Sequence, residues 1–203
     1  MKTLILARHA HSESNAGAFV NSIPPGGGLS VEGREEARRL GALLASERIG
    51  VGLSSRLRRT QETLELALAG HDVALIVEPL LDEIGFGSFE GGSLAAYRAW
   101  AWKNDSTTPC PGGGESRADA AQRISESLGT LLARPEETLL VVGHAMPIRY
   151  VVDASDGRFP ATRLAPVPHA TPFRLNRHAV EVARETLARW ADEPRFADTP
   201  FGG

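Results

Sequence analysis

Apolar residues along this chain gather into short unbroken runs with stretches of helical spacing between them, and that alternation predicts strands and helices in turn. Residues 3–7 are apolar after the threonine, as in a strand buried on both faces. A loop over 16–29 follows, dominated by Pro24-Pro25-Gly26-Gly27-Gly28. Ser30 then reads as the N-cap of a helix reaching about Glu47, with Ala37, Leu40 and Leu44 as its inward stripe. Ile49 to Leu53 is a short second strand ending in Ser54-Ser55. The next helix, from about Leu57 to Leu68, carries Leu57, Leu64 and Leu68 on its apolar face, and Val73 to Val77 is a third strand.

Over 82–115 the alternation breaks. This excursion holds Phe86, Phe89, Tyr97, Trp100 and Trp102 and ends in Pro109-Cys110-Pro111-Gly112-Gly113-Gly114. So long an interruption between compact units usually carries function. Ser116 with Asp119 forms a capping-box pattern opening a helix to about Arg134, with Ala121, Ile124, Leu128 and Leu131 buried. A strand over 138–142, a helix from about Pro147, an irregular stretch from Pro160 to Pro168, a last strand over 170–175 and a helix over 179–191 complete the pattern. It predicts the α/β class: a three-layer αβα sandwich with a mostly parallel central sheet and helices on both faces. One domain over 1–203 is expected, with a lid insertion at 84–115.

Composition narrows the partners. The net charge of −3 gives no basic field for nucleic acid or an anionic membrane, so an anionic ligand must be held by a local cluster of cations. No apolar run approaches the ~18 residues of a membrane span. The lone Cys110 excludes an internal disulfide, and with no signal-peptide pattern at the amino terminus the expected location is the cytoplasm.

The candidate chemistry sits where strands end. The first strand runs into Arg8-His9, and the strand Leu139-Leu140-Val141-Val142-Gly143 ends in His144 ahead of a helix. Open α/β sheets bind ligands beyond the carboxyl ends of their strands, and free N–H groups at a helix start favour anions. Arg56, Arg58 and Arg59 crowd the start of a helix, where cations oppose the helix dipole and a bound phosphate would compensate. At least one of the three is expected on a solvated face. Glu83, at the mouth of such a cationic pocket, is a candidate general acid.

These segments resemble, in order, the motifs of the histidine phosphatase superfamily, the phosphoglycerate-mutase-like fold. They are Leu6-Ala7-Arg8-His9-Ala10-His11-Ser12-Glu13-Ser14-Asn15, Leu29-Ser30-Val31-Glu32-Gly33, Ser55-x-Leu57-x-Arg59-Thr60-x-x-Thr63, Asp82-Glu83-Ile84-Gly85-Phe86-Gly87-Ser88-Phe89-Glu90-Gly91, Gly113-Gly114-Glu115-Ser116 and Val142-Gly143-His144-Ala145-x-x-Ile148-Arg149. The resemblance implies that His9 is the nucleophile, that Arg8, Asn15, Arg59 and His144 bind phosphate, and that Glu83 is the proton donor. His144 is also counted with the catalytic residues, supplying positive charge if protonated. Arg59 rather than Arg58 falls on the motif's arginine. The implied reaction forms a phosphohistidine and needs neither metal nor cofactor.

Two departures bear on substrate. Ala10 and His11 stand where the family usually has glycine and then Glu or Gln; His11 either adds charge at the pocket rim or lies on the surface. Mutases of the superfamily carry an arginine after the acid and a tyrosine two residues later, where this chain has Ile84 and Phe86. Phe89-Glu90-Gly91 resembles the phosphatase branch. The expectation is a phosphatase acting on a small phosphorylated metabolite; a mutase and a non-catalytic phosphate-binding protein are the alternatives. His9-Ala10-His11 also resembles the metal-binding pair of amidohydrolase-like enzymes, but the chain is short of the ~250 residues their barrel takes.

Trp100 and Trp102 either meet the ligand or pack the lid onto the body, and the lid aromatics leave a homodimer open. His71, His178 and Cys110 read as incidental, His169 as facing solvent unless the last strand lies near enough to turn it to the pocket, and Gly26-Gly27-Gly28 as a mobile loop rather than a nucleotide-binding one.

Overall fold

The computed structural model describes residues 1–197; the last six residues of the expected domain span lie outside the described residues. The central sheet has the order β3-β2-β4-β1-β5, with β1 Thr3–Arg8, β2 Val51–Ser54, β3 Ala74–Val77, β4 Thr138–Gly143 and β5 Pro172–Asn176. Four strands are parallel, and β5 joins the edge of β1 antiparallel.

Alternation along the strands divides the core. Leu4 and Leu6 of β1 and Leu139 and Val141 of β4 face one layer, built from α5 (Arg117–Leu132), α6 (Ala145–Ala154) and α7 (Arg177–Asp192). Ile5, Ala7, Leu140 and Val142 face the other, built from α2 (Val31–Leu43) and α3 (Arg58–Ala67). Near-continuous apolar strands with two fillable faces leave no other low-energy arrangement than helices on both sides. The expected three-layer αβα sandwich with a mostly parallel sheet is the fold observed.

Local signals set the helix starts. Ser30 caps α2 through the Gly33 N–H, and Ser116 with Asp119 closes a full capping box on α5. Boundaries move where tertiary pairing outranks propensity: β2 extends to Ser54 because that residue pairs with Val142 of β4, and α6 starts at Ala145 directly after β4. A short helix, α1 (Glu13–Ala16), begins ahead of the expected loop; its Ser12–Asn15 capping box fixes it.

The glycine loop, expected to be mobile, is fastened at several points. The Arg58 N–H donates to the Pro25 carbonyl at 2.7 Å, the Leu29 N–H to Glu62 at 2.9 Å, and the Gly28 carbonyl accepts from Glu13 at 3.1 Å.

The lid segment contains α4 (Leu94–Ala101) and a small core of its own around Phe86, Tyr97, Ala101 and Cys110. Phe86 meets Tyr97 edge-to-face at 4.7 Å, and Trp100 lies 5.5 Å from Phe89. Trp102 instead projects outward beneath Arg163, whose guanidinium stands 4.5 Å above its ring. The lid is stitched to the body by Val20, which exchanges backbone hydrogen bonds of 2.9 Å with Gly91 and Gly92. No helix among the described residues is long and apolar enough to cross a membrane.

Candidate active site

β1 and β4 are neighbours, with Arg8 paired to Gly143, so the residues just past them, His9 and His144, emerge side by side. Crossovers from β1 and β2 run through α2 and α3 on one face and those into and out of β4 through α5 and α6 on the other. The junction of β1 and β4 is therefore the switch point at which such sheets open a crevice. A cavity of about 320 Å³ opens there, lined by Arg8, His9, Asn15, Arg59 and Glu83 among others.

The two imidazoles lie 5.4 Å apart, edge to face, and their hydrogen bonds fix both tautomers. His9 Nδ1 lies 2.8 Å from the Ala10 carbonyl; a carbonyl only accepts, so Nδ1 carries the proton and Nε2 holds a lone pair. The Arg59 Nε–H points at that lone pair from 3.2 Å. Arg59 Nη2 also donates to His144 Nδ1 at 3.2 Å, which leaves the His144 proton on Nε2, donating to Ser55 Oγ at 2.9 Å. Burial first, and the Arg59 charge second, hold both imidazoles well below the ordinary value of 6.5. The unliganded site therefore favours neutral His144, and the positive charge that the sequence gives it only if protonated is disfavoured there. A phosphate dianion beside it would favour its protonated form.

The positive charge is carried by arginine. Arg59 is buried and held by Asn21, whose Oδ1 and carbonyl accept its two Nη groups at 3.1 and 2.9 Å. Arg8 donates one Nη to the Val167 carbonyl, and its buried Nε has no partner among the described residues. Such an orphaned donor is costly unless an acceptor arrives. Asn15 uses its Oδ1 to cap α1, accepting from Ser12 at 3.1 Å, and lines the same cavity. Glu83 is partly buried, with Oε1 accepting from the Ile84 N–H at 3.0 Å. Burial raises its pKa above the ordinary 4.5, opposed by the Arg59 charge. A carboxyl whose acid form is favoured in this way is suited to hold a proton and release it during a reaction. Among the described residues no group of three or more His, Cys, Asp and Glu side chains is placed to hold a metal ion.

All six residues singled out from the sequence thus meet at one cavity or contact each other there, His144 through Arg59. The other arginines of the cluster do not enter: Arg56 pairs with Asp82 at 2.6 Å and Arg58 with Glu62 at 2.7 Å. His169, expected to face solvent, instead packs 5.7 Å from the His9 ring and bonds its carbonyl. His11 is half-buried, bonding Ser30 Oγ at 3.0 Å with its ring edge against His169 at 5.6 Å. His71 and His178 are exposed, as expected, and Cys110 is buried in the lid with its thiol pushed up to about 11.

Sequence reasoning missed Asn21, Arg98 and Arg117. Arg98 and Arg117 line the cavity without a carboxylate partner among the described residues. Arg117 stands in the first turn of α5, against the helix dipole, the same signal that singled out Arg59.

Comparison with known proteins agrees with this geometry. The sequence profile of the histidine phosphatase superfamily (branch 1) matches residues 4–193. A 2,3-bisphosphoglycerate-dependent phosphoglycerate mutase of Rhizobium etli is 35% identical over 170 residues, spanning 73% of this chain and 78% of that protein. Phosphoserine phosphatase 1 of Hydrogenobacter thermophilus is 32% identical over 160 residues, spanning 73% and 74%. The alpha-ribazole phosphatase of Shigella flexneri shares the fold, with a TM-score of 0.73 at 23% identity over 85% of this chain and 89% of that one. A mycobacterial glucosyl-3-phosphoglycerate phosphatase in complex with VO3 superposes with the same TM-score at 25% identity, covering 86% and 92%. With a family profile spanning nearly its whole length and the matching side chains gathered at one crevice, this chain belongs to the histidine phosphatase superfamily.

Proposed function

We propose that this chain hydrolyses small phosphomonoesters through a phosphohistidine at His9, with no metal ion required. The observation that carries the reading is the committed tautomer of His9: its Nδ1–H is taken by the Ala10 carbonyl, which leaves the Nε2 lone pair among arginines. Phosphoryl transfer asks the protein mainly for positioning and charge stabilisation, and Arg8 and Arg59 offer both.

In the proposed first step Nε2 attacks phosphorus in line, the bond to the ester oxygen breaks, and Glu83 gives that oxygen its proton. In the second, water attacks the phosphohistidine, Glu83 takes the water's proton, and phosphate leaves with His9 neutral again. Arg59 must exchange its bond to His9 for one to phosphate when the ligand binds. The unpartnered Arg8 Nε is the donor ready for a phosphoryl oxygen.

Hydrolysis is favoured over a mutase reaction because Ile84 and Phe86 are buried in the lid core and present no cation after the acid. Phe86, Leu94, Tyr97 and Trp102 line the same cavity, which supports a leaving group with an apolar or planar portion. The mutase reading keeps one observation of its own: Arg98 and Arg117 on the cavity wall would suit a second anionic group.

The test is phosphate release from a panel of phosphomonoesters in the presence of EDTA, for wild type and His9→Ala. Release by the wild type alone is expected, fastest for esters with apolar alcohols. Phosphoglycerate isomerised without net release would favour the mutase instead, and release by His9→Ala would sink the phosphohistidine route.

A further inference from the structure

The peptide that follows His9 is pinned at both ends by side chains. Past Arg8 the β1 ladder stops: His9 still donates its N–H to the Gly143 carbonyl at 2.9 Å, but no strand supplies a donor to its buried C=O. Buried backbone acceptors need a partner, and His169 provides it, with Nδ1 2.8 Å from the His9 oxygen. At the other end of the same peptide, the Ala10 N–H donates to Thr63 Oγ1 at 3.0 Å. The next peptide is held likewise: the His11 N–H donates to Glu36 at 2.7 Å, while its carbonyl end, Ala10 O, takes the His9 Nδ1–H.

An independent feature aims His169. Ala170 is buried at φ 46°, in the left-handed region that residues with a Cβ disfavour. Its N–H donates to the Arg8 carbonyl at 3.0 Å, so the chain turns back against the end of β1. Strained backbone of this kind persists where surrounding contacts over-determine it, and such places cluster at functional sites. Here the strain directs the imidazole onto the carbonyl of the adjacent strand end. The His9 carbonyl only accepts, so His169 Nδ1 carries the proton that bonds it, and burial first and the Arg8 charge next favour the neutral ring.

We propose that His169 is a positioning residue, which fixes the His9–Ala10 peptide and thereby the direction of the His9 imidazole. The inference rests on the reading of His9 as nucleophile. It does not act on phosphate: His169 is not among the residues that line the cavity.

The test compares His169→Asn with His169→Leu, which share their branching and heavy-atom count and are both uncharged. Asparagine keeps an N–H donor close to the place of Nδ1; leucine has none. In the Leu variant kcat should fall about 10- to 100-fold, the scale of a misaligned reacting group, with KM changed far less. Asn should restore most of the rate. In the ligand-free protein, the ¹⁵N shifts of His9 should report a single Nδ1–H tautomer for wild type and Asn, and a mixture for Leu. Equal behaviour of Asn and Leu in rate and tautomer would overturn the proposal. Should the Leu variant fail to fold, His169→Ala removes the same donor without adding bulk. A mixed His9 tautomer there supports the proposal, and an unchanged one overturns it. If His9→Ala itself retains turnover, the nucleophile assignment falls, while the tautomer comparison still decides whether His169 orients the ring.

Discussion

Arg56, Arg58 and Arg59 are near neighbours in sequence and meet three different fates. Arg56 ties the start of α3 to Asp82, Arg58 lies along the helix surface against Glu62, and Arg59 turns inward to touch both imidazoles. Arg59→Ala should lower kcat/KM by about 10²- to 10³-fold, the usual cost of removing a preorganised donor from developing charge. Arg58→Ala removes an i,i+4 pair whose arginine is exposed and whose Glu62 keeps Arg34 and the Leu29 N–H, a loss of about 0.3–0.5 kcal/mol, and steady-state kinetics should be within about 2-fold of wild type. Glu83 sets the other residue-scale expectation. The proposed first step needs His9 neutral and Glu83 protonated. The His9 pKa is held below 6.5 and that of Glu83 above 4.5. Acidification through the His9 value protonates the lone pair, and alkalinisation through the Glu83 value removes the acid, so the rate falls on both sides. Glu83→Gln should abolish the alkaline limb of kcat/KM against pH for esters with poor leaving groups, and slow activated aryl phosphates much less. An intact alkaline limb in that variant would contradict the assignment. At this scale the sequence was legible where chemistry is tied to a motif position, as with Arg8, His9 and Arg59. It was not legible for His169 or Asn21, whose importance comes from contacts across 160 and 38 positions of chain that no local pattern encodes.

Between elements, the loop that bears Glu83 is held by a brace reaching from the N-terminus of α5. Glu115 takes both Arg123 Nε and Nη2 at 2.7 and 2.8 Å, and its Oε2 also accepts from the Gly85 N–H at 2.8 Å. Arg123 Nη1 in turn reaches the carbonyls of Leu80 and Asp82 at 2.9 Å. The Gly113-Gly114-Glu115-Ser116 segment is therefore a support for the acid loop rather than a ligand contact. Glu115→Gln leaves a partly buried guanidinium under-satisfied; it should cost about 1–3 kcal/mol in stability and slow poor leaving groups about 10-fold or more by loosening Glu83. Urea unfolding and the leaving-group dependence of kcat check the two halves separately. A similar logic explains Gly33, where a Cβ would collide with the His11 carbonyl: α2 starts hard against the loop that follows His9, and only glycine lets the Ser30 N–H reach that carbonyl at 3.0 Å. Elements with strong period and caps, such as α2 and α5, could be placed from sequence to within a few residues. The four-residue α1 and the fastened glycine loop could not, because short segments are decided by tertiary hydrogen bonds rather than propensity.

Across the whole molecule, stability and chemistry are carried by different regions. The layer of α5, α6 and α7 buries Trp190 edge-to-face against Tyr150 at 5.8 Å, in a core separate from that of the lid aromatics, and Trp190 itself does not line the cavity. Trp190→Ala should lower unfolding free energy by about 3–5 kcal/mol with little change in KM for the folded fraction, measured by urea titration and steady-state kinetics. The sheet and its two cores, in contrast, deliver Arg8, His9 and His144 to one crevice because β1 and β4 happen to be adjacent, an order that alternation of strand and helix does not reveal. In the lid, Trp100 packs against Phe89 and Tyr97, whereas Trp102 lies under Arg163 at the cavity wall. The central claim is that the phosphoryl group passes through His9. It is tested most directly by rapid quench of the enzyme with a ³²P-labelled phosphomonoester, followed by mapping of the label. The account predicts an acid-labile, base-stable phosphoryl group on the peptide containing His9, formed as fast as turnover and absent in His9→Ala. Turnover with no label on the protein, or label on any other residue, would contradict it.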